Sequence, residues 1–225
     1  MTTIATWNLH QMGRQVEIPD GVVEVIREVR PDVLVLTEYV DRGGREEFER
    51  ALHEIGYTSG AVSRAGPAQN QVLIASVAEQ MDGKLHAPGV DEAARTNFLH
   101  RWLPKLELNL IGFRVPSYHQ EEQGKLAAYW ADLRISALSV ARGRTVFIGD
   151  LNWGRTRPSE AAATAIESLQ AAGYKLVPAE GGSDRALLSA AVRCHDAWHV
   201  EQAAGQMLTG EGGLSDHPML VVEVV

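Results

Sequence analysis

The segment Val146 to Trp153 reads VFIGDLNW, three apolar β-prone residues and a glycine followed by a carboxylate at Asp150 and an amide at Asn152. An apolar run that ends this way is a strand delivering polar groups to its exit. The arrangement recurs along the chain. Asn8 follows the β-prone start TIATW, Glu38 closes DVLVLTE, and Ser215, Asp216 and His217 stand just before the apolar tail Met219 to Val225. In a layered α/β fold such strand ends converge on one edge, where groups distant in sequence can meet. Carboxylates gathered there repel unless a cation sits among them, and hard oxygen donors select magnesium or manganese. The period-two spacing of Asp150 and Asn152 puts both on one strand face, aimed at the same point, while Gly149 permits close backbone approach.

The elements that must position these residues alternate. Thr3 to Leu9 reads as a strand; Val22, Val23, Ile26 and Val29 share a helix face that has to end by Arg30, because Pro31 disfavours helical backbone before it. Asp32 to Glu38 is a buried strand. Phe48, Leu52 and Ile55 form a helical stripe closed by Gly56, followed by strands at Tyr57 to Val62 and Gln71 to Ser76. Residues 79–94 give no clear signal. A strand pair, Phe98 to Leu103 and Glu107 to Val115, leads into a helix from Glu121 to Ala141, and the pattern restarts at the strand Thr145 to Ile148. A helix from Ser159 to Ala172 precedes closing strands near Ala186 to Val192, Asp196 to His199 and Met219 to Val225. With no fixed-period repeat and no linker-like tract, residues 1–225 are expected to form a single domain.

Composition narrows the function classes. The 225 residues are 45% hydrophobic and 22% charged with a net charge of -8, which suits a sizeable core and argues against one extended basic surface. The single cysteine, Cys194, excludes an internal disulfide framework and a thiolate zinc cluster, and reads as buried filler. The opening MTTIATWNLH lacks a secretory pattern, and no apolar run reaches the roughly 18 residues of a spanning helix, so a soluble cytoplasmic protein without membrane insertion is expected. Nothing in the chain asks for an obligate protein partner.

TWN ending the first strand, LTE the second, GDLN after a buried strand and SDHPM before the last occur in that order. The order resembles the endonuclease/exonuclease/phosphatase superfamily, which includes apurinic endonucleases of the exonuclease III type, DNase I, sphingomyelinases and inositol phosphatases. The resemblance covers nearly the whole chain. It implies a DNase I-like, four-layer α/β sandwich, two face-to-face sheets flanked by helices. It also implies a Mg2+- or Mn2+-dependent phosphodiester hydrolase. In that likeness Glu38 resembles the metal-binding carboxylate, with Asn8 beside it and Asp216 adding a metal or leaving-group contact. Asp150 resembles the residue that positions and deprotonates the attacking water, and Asn152 the amide that holds that water or a phosphate oxygen. His217 resembles the imidazole on the scissile phosphate and Asp184 the carboxylate that orients it, neighbouring strands being expected to bring the pair together.

Two positions depart from the apurinic pattern. Where those enzymes carry Tyr-x-Pro-Asn this chain has Arg114-Val115-Pro116-Ser117, and His10 replaces an aspartate. The apurinic label is therefore declined. Arg114 is read as a phosphate donor that stabilises developing charge. Taken singly, Glu38 would pass as a surface carboxylate, Asp150 with Asn152 as a turn pair, and His217 as a satisfied histidine. His10, His119, His195 and His199 carry no strong signal. The tryptophans read as core, with Trp153 the one candidate for stacking on a substrate. Nuclease action on DNA or RNA is the first choice, and it requires Arg64, Arg95, Arg114, Arg155 and Arg157 to concentrate near the rim. A small or lipid phosphoester, favoured by the acidic balance, is the alternative, and a non-catalytic binding module with the same fold is the third.

Overall fold

A computed structural model describes residues 1–10, 18–40, 45–64, 70–153, 158–178 and 182–225, so Arg155 and Arg157 lie outside the described residues. The strand β1 (Thr2–Asn8) pairs in parallel with β2 (Val33–Tyr39) across the helix α1 (Asp20–Val29). α1 buries Val22, Val23, Val25 and Ile26 and stops at Arg30, whose left-handed backbone (φ 50°) lets its N–H donate to the Ile26 carbonyl. The helix α2 (Glu46–Glu54) and the antiparallel strands β3 (Ser59–Val62) and β4 (Gln71–Ser76) complete the first half.

Residues 79–94 hold a two-residue strand, β5 (Met81–Asp82), and lead into a short helix, α3 (Glu92–Thr96), capped by the Asp91 carboxylate. The strands β6 (Phe98–Leu103) and β7 (Leu108–Arg114) follow. Then α4 (Gln123–Ser139) crosses to β8 (Thr145–Asp150), parallel to β7. The chain continues through α5 (Glu160–Ala171), β9 (Lys175–Val177), β10 (Asp184–Leu188) and β11 (Cys194–Val200). A small hairpin, β12 (Gln202–Ala203) with β13 (Gln206–Met207), precedes β14 (Met219–Val224). β9 and the hairpin escape a sequence reading because two or three residues are too few to show a period. The strand expected at Ala186 to Val192 instead starts at Asp184 and ends at Leu188.

Two mixed six-stranded sheets result, ordered β11, β14, β1, β2, β4, β3 and β5, β6, β7, β8, β10, β9. They pack face to face through Ile4, Val33, Val35, Val72 and Ile74 on one side and Leu110, Val146, Ile148, Ala186 and Leu188 on the other. The outer face of the first sheet carries α1 and α2 on Trp7, Leu34 and Leu36. That of the second carries α4 and α5 on Ile111, Phe113, Phe147 and Leu187. This is the expected four-layer α/β sandwich. The succession β1, α1, β2, α2, β3, β4 is repeated by β7, α4, β8, α5, β9, β10, with the parallel pair at the centre of each sheet. The repeat is one of topology, which is why no sequence period announces it.

Alternation along each strand decides which side chains reach the gap between the sheets. Ile4 points inward on β1, so Asn8 does too; Leu108 and Leu110 set Arg114 inward on β7, Val146 and Ile148 set Asp150, and Ala186 and Leu188 set Asp184. Glu38 is the exception. Val33 and Val35 face inward, and strict alternation would send Glu38 outward with Leu34 and Leu36. A register shift between Leu36 and Tyr39 and a left-handed backbone at Glu38 (φ 55°) reverse it.

Candidate active site

Three residues form a row across the end of the second sheet. Arg114 on β7 lies in register with Asp150 on β8, which lies in register with Asp184 on β10. All are buried, Asp184 completely. Gly149 makes the first of these pairings possible, because a Cβ on it would stand 1.8 Å from the Phe113 carbonyl oxygen. Gly149 has φ 150°, a backbone that disfavours a side chain in any case. β8 ends at Asp150, and Asn152 lies beyond it with φ 48°. The shared strand face expected for the two residues is therefore absent. They meet through a turn, the Asn152 N–H donating to Asp150 Oδ1 at 2.7 Å. The Asn152 amide donates to the Val115 carbonyl and to Ser117 Oγ, fastening the loop after β7 to the end of β8.

The first sheet presents Asn8, Glu38 and His217 across the gap. The Asn8 amide nitrogen donates to Glu38 Oε1 at 3.3 Å and to Asp150 Oδ2 at 3.0 Å, bridging the two carboxylates. Its orientation is fixed from the other end, where Asn8 Oδ1 accepts from the His10 N–H at 2.8 Å. The Arg114 guanidinium lies 2.9 Å from Glu38 Oε1 and 3.6 Å from Asp150 Oδ2. Burial pushes the Asp150 carboxyl upward and Glu38 adds to this, against the opposing charges of Arg114 and His217 and the Asn152 N–H.

His217 Nδ1 lies 2.5 Å from Asp184 Oδ2. The strands concerned, β10 and β14, belong to opposite sheets, so the pair forms across the sandwich and not between neighbouring strands as expected. Burial opposes charging the ring, but the bond to Asp184 and the Asp184, Asp150 and Asp216 carboxylates prevail and raise its pKa to about 9. The Asp184 carboxyl, wholly buried, is raised to about 6 by burial, with His217 working to lower it. Between those values the pair is an imidazolium facing a carboxylate. Its backbone is held too: Trp7 Nε1 donates to the His217 carbonyl, the His217 N–H to Ser215 Oγ, and Ser215 Oγ to the Asn8 carbonyl.

No protein-family model matches the sequence, and no curated protein matches it. Solved structures do. An AP endonuclease from Archaeoglobus fulgidus superposes with a TM-score of 0.75 at 20% identity, covering 99% of each chain. A 3'-5' exonuclease, NExo, from Neisseria meningitidis gives 0.73 at 19% over 98% of each. The 3' phosphatase NExo from Neisseria bound to product DNA hairpin gives 0.71 at 18% over 99% of each. The chain has the DNase I-like fold.

On this DNase I-like frame the structure brings together Asn8, Glu38, Arg114, Asp150, Asp184 and His217. Asp216 is exposed, 2.9 Å from His10 Nδ1 and 3.7 Å from His217 Nε2. His10, the departure noted two residues after Asn8, is the residue that meets Asp216. Trp153 has the Arg185 guanidinium 5.6 Å from its ring centre, so one face already has a cation on it. Among the described residues no three His, Cys, Asp or Glu side chains form a ready metal cage. Two buried carboxylate oxygens of the site have no hydrogen-bond partner, Glu38 Oε2 and Asp184 Oδ1; the Asp184 carboxylate already serves His217 through Oδ2, and Glu38 Oε2 is the oxygen a cation could take. A single carboxylate oxygen suits magnesium, which keeps most of its waters, while the Asn8 amide turns its nitrogen to the carboxylates and its oxygen to the His10 N–H.

Proposed function

We propose that the chain is a divalent-metal-dependent phosphodiester hydrolase acting on nucleic acid, of the endonuclease/exonuclease/phosphatase type. The observation that carries this is the opposition, across one gap, of a buried carboxylate with an upward-shifted pKa, Asp150, and a half-buried imidazolium, the His217 ring held by Asp184. A base and a fixed positive donor on facing walls suit in-line displacement at phosphorus. Asp150 takes the proton of a water whose oxygen forms the new bond to phosphorus, and the bond to the leaving oxygen breaks, that oxygen gaining a proton from solvent. His217 and Arg114 donate to the phosphate oxygens as charge builds on them. Asn152 holds the loop that carries Ser117 against Asp150. Glu38 would hold a magnesium or manganese ion, which would supply charge neutralisation for the phosphate, and Asn8 would position the Glu38 carboxylate through its amide nitrogen.

For nucleic acid, the supporting observation is a cavity of about 430 Å³ whose lining includes Arg64, Arg95, His86 and His100 beside one carboxylate, Asp82. Its Phe98 is in register with Phe113, the residue before Arg114 on β7. The net charge of -8 favours the second reading, a small or lipid phosphoester. Among the described residues no helix is long and apolar enough to cross a membrane.

The deciding experiment is a divalent-dependent activity panel of single- and double-stranded DNA, abasic DNA, RNA, an aryl phosphodiester and lipid phosphodiesters. Cleavage of a nucleic acid with affinity falling steeply in salt is the expected result. Turnover confined to a small or lipid ester would select the second reading, and none on any substrate would select a binding module. Asp150→Asn is expected to lower turnover by roughly 100- to 10,000-fold, and Glu38→Gln to weaken Mn2+ binding in a calorimetric titration.

A further inference from the structure

We infer that Arg114 is an exchangeable stand-in for the divalent cation. Its guanidinium holds the Glu38 and Asp150 carboxylates together until a metal ion takes Glu38, and then turns to a phosphate oxygen of the substrate. The inference rests on the metal role proposed for Glu38. Two buried carboxylates facing each other from opposite sheets repel, and Arg114 answers that repulsion with Nη2 at 2.9 Å from Glu38 Oε1 and Nε at 3.6 Å from Asp150 Oδ2. Its side chain is only 10% exposed, so water supplies little screening.

The arrangement is incomplete on both partners. Arg114 Nε is buried and has no hydrogen-bond acceptor, since 3.6 Å to Asp150 is too long for one. Glu38 Oε2 is buried and has no donor. Each unmet group in a dry setting costs free energy, and each is met by a different newcomer: the oxygen by a cation, the N–H by an anionic oxygen. A cation on Glu38 and a guanidinium on the same carboxylate repel at short range, so the arrival of one releases the other. Ser117 keeps the released group near the site. Its Oγ already accepts from Arg114 Nη2 at 3.3 Å and is itself held by the Asn152 amide at 2.6 Å. Metal and substrate are then thermodynamically linked, each favouring the state the other requires.

Two measurements test this, neither of which uses turnover. In calorimetric titration with Mn2+, Arg114→Met binds about ten-fold tighter than the wild type, because no guanidinium has to be displaced. In wild-type protein labelled with 15N, the Nε–H resonance of Arg114, assigned through its own backbone, shifts as Mg2+ saturates the site. Equal Mn2+ affinity in Arg114→Met, or an Arg114 resonance that stays put at saturation, overturns the exchange. The resonance titration decides alone if Arg114→Met does not fold. Glu38→Gln separates the two levels. If it loses Mn2+ binding while Arg114→Met matches the wild type, the exchange is wrong and the Glu38 site stands. If it binds Mn2+ as the wild type does, the Glu38 site is wrong and the exchange falls with it.

Discussion

The proton on His217 links the site to pH with a definite sign. Its pKa is raised from 6.5 to about 9, so the stability it contributes is fully present below 6.5 and is lost as pH rises through about 9. If the charged ring also serves the reaction, the alkaline limb of the pH–rate profile falls near 9 in place of 6.5, and Asp184→Asn moves it toward neutrality. An alkaline limb that ignores Asp184→Asn would separate the two residues. Burial lifts Asp150 above 3.8, so the acid limb lies above the usual carboxylate value, with activity rising through it. Because one residue acts through the other, Asp184→Asn combined with His217→Ala should be little slower than His217→Ala alone. Fully additive losses in turnover would show that Asp184 works by some other route.

Each of these side chains depends on how its strand ends. Gly149→Ala would press a methyl group onto the Phe113 carbonyl, 1.8 Å away, where β7 and β8 run in parallel. A loss of about 3 kcal/mol in denaturant unfolding is expected, together with lower turnover as Arg114 and Asp150 move out of register. Ser159→Ala supplies the contrast. It removes the cap on α5, where Ser159 Oγ accepts from the Ala162 N–H at 3.2 Å. That costs about 1 kcal/mol and should leave turnover unchanged, since α5 lies on the outer face. The sequence showed which strands end in polar residues because apolar runs and their punctuation are local signals. It did not show that Glu38 would turn inward, because a bulge with a left-handed residue breaks the alternation on which such a reading relies. It placed Asp150 and Asn152 on one strand face for the same reason, treating as strand what is already a turn. The approach of Asp184 to His217 was legible from their places beside strands, but the assignment of those strands to opposite sheets was not, since order within a sheet leaves no local trace.

Sheet spacing governs the site as a unit. Where the two sheets meet, Gly112 leaves room for Val35 and Val72, and a Cβ there would lie 2.8 Å from a methyl carbon of each. Gly112→Ala is therefore expected to wedge the sandwich open, costing about 1–3 kcal/mol of stability. It should slow turnover although residue 112 touches no group of the site. Unfolding by denaturant and a rate measurement under native conditions check the two halves of that statement; a destabilised variant with full activity would show that the site tolerates a change in spacing.

The division of the site between the sheets has a consequence for the chain while it is being made. Asn8, Glu38 and His217 belong to one layer and Arg114, Asp150 and Asp184 to the other, joined by the Asn8–Asp150, Arg114–Glu38 and His217–Asp184 contacts. The first layer is finished only when β14, the last strand, closes onto β1. Until then His217 has no fixed place opposite Asp184. A nascent or partly folded chain holds the base without its opposing charge, so under the proposed function it cannot hydrolyse a phosphodiester. The cell would be spared a half-built hydrolase by the order in which its strands are synthesised.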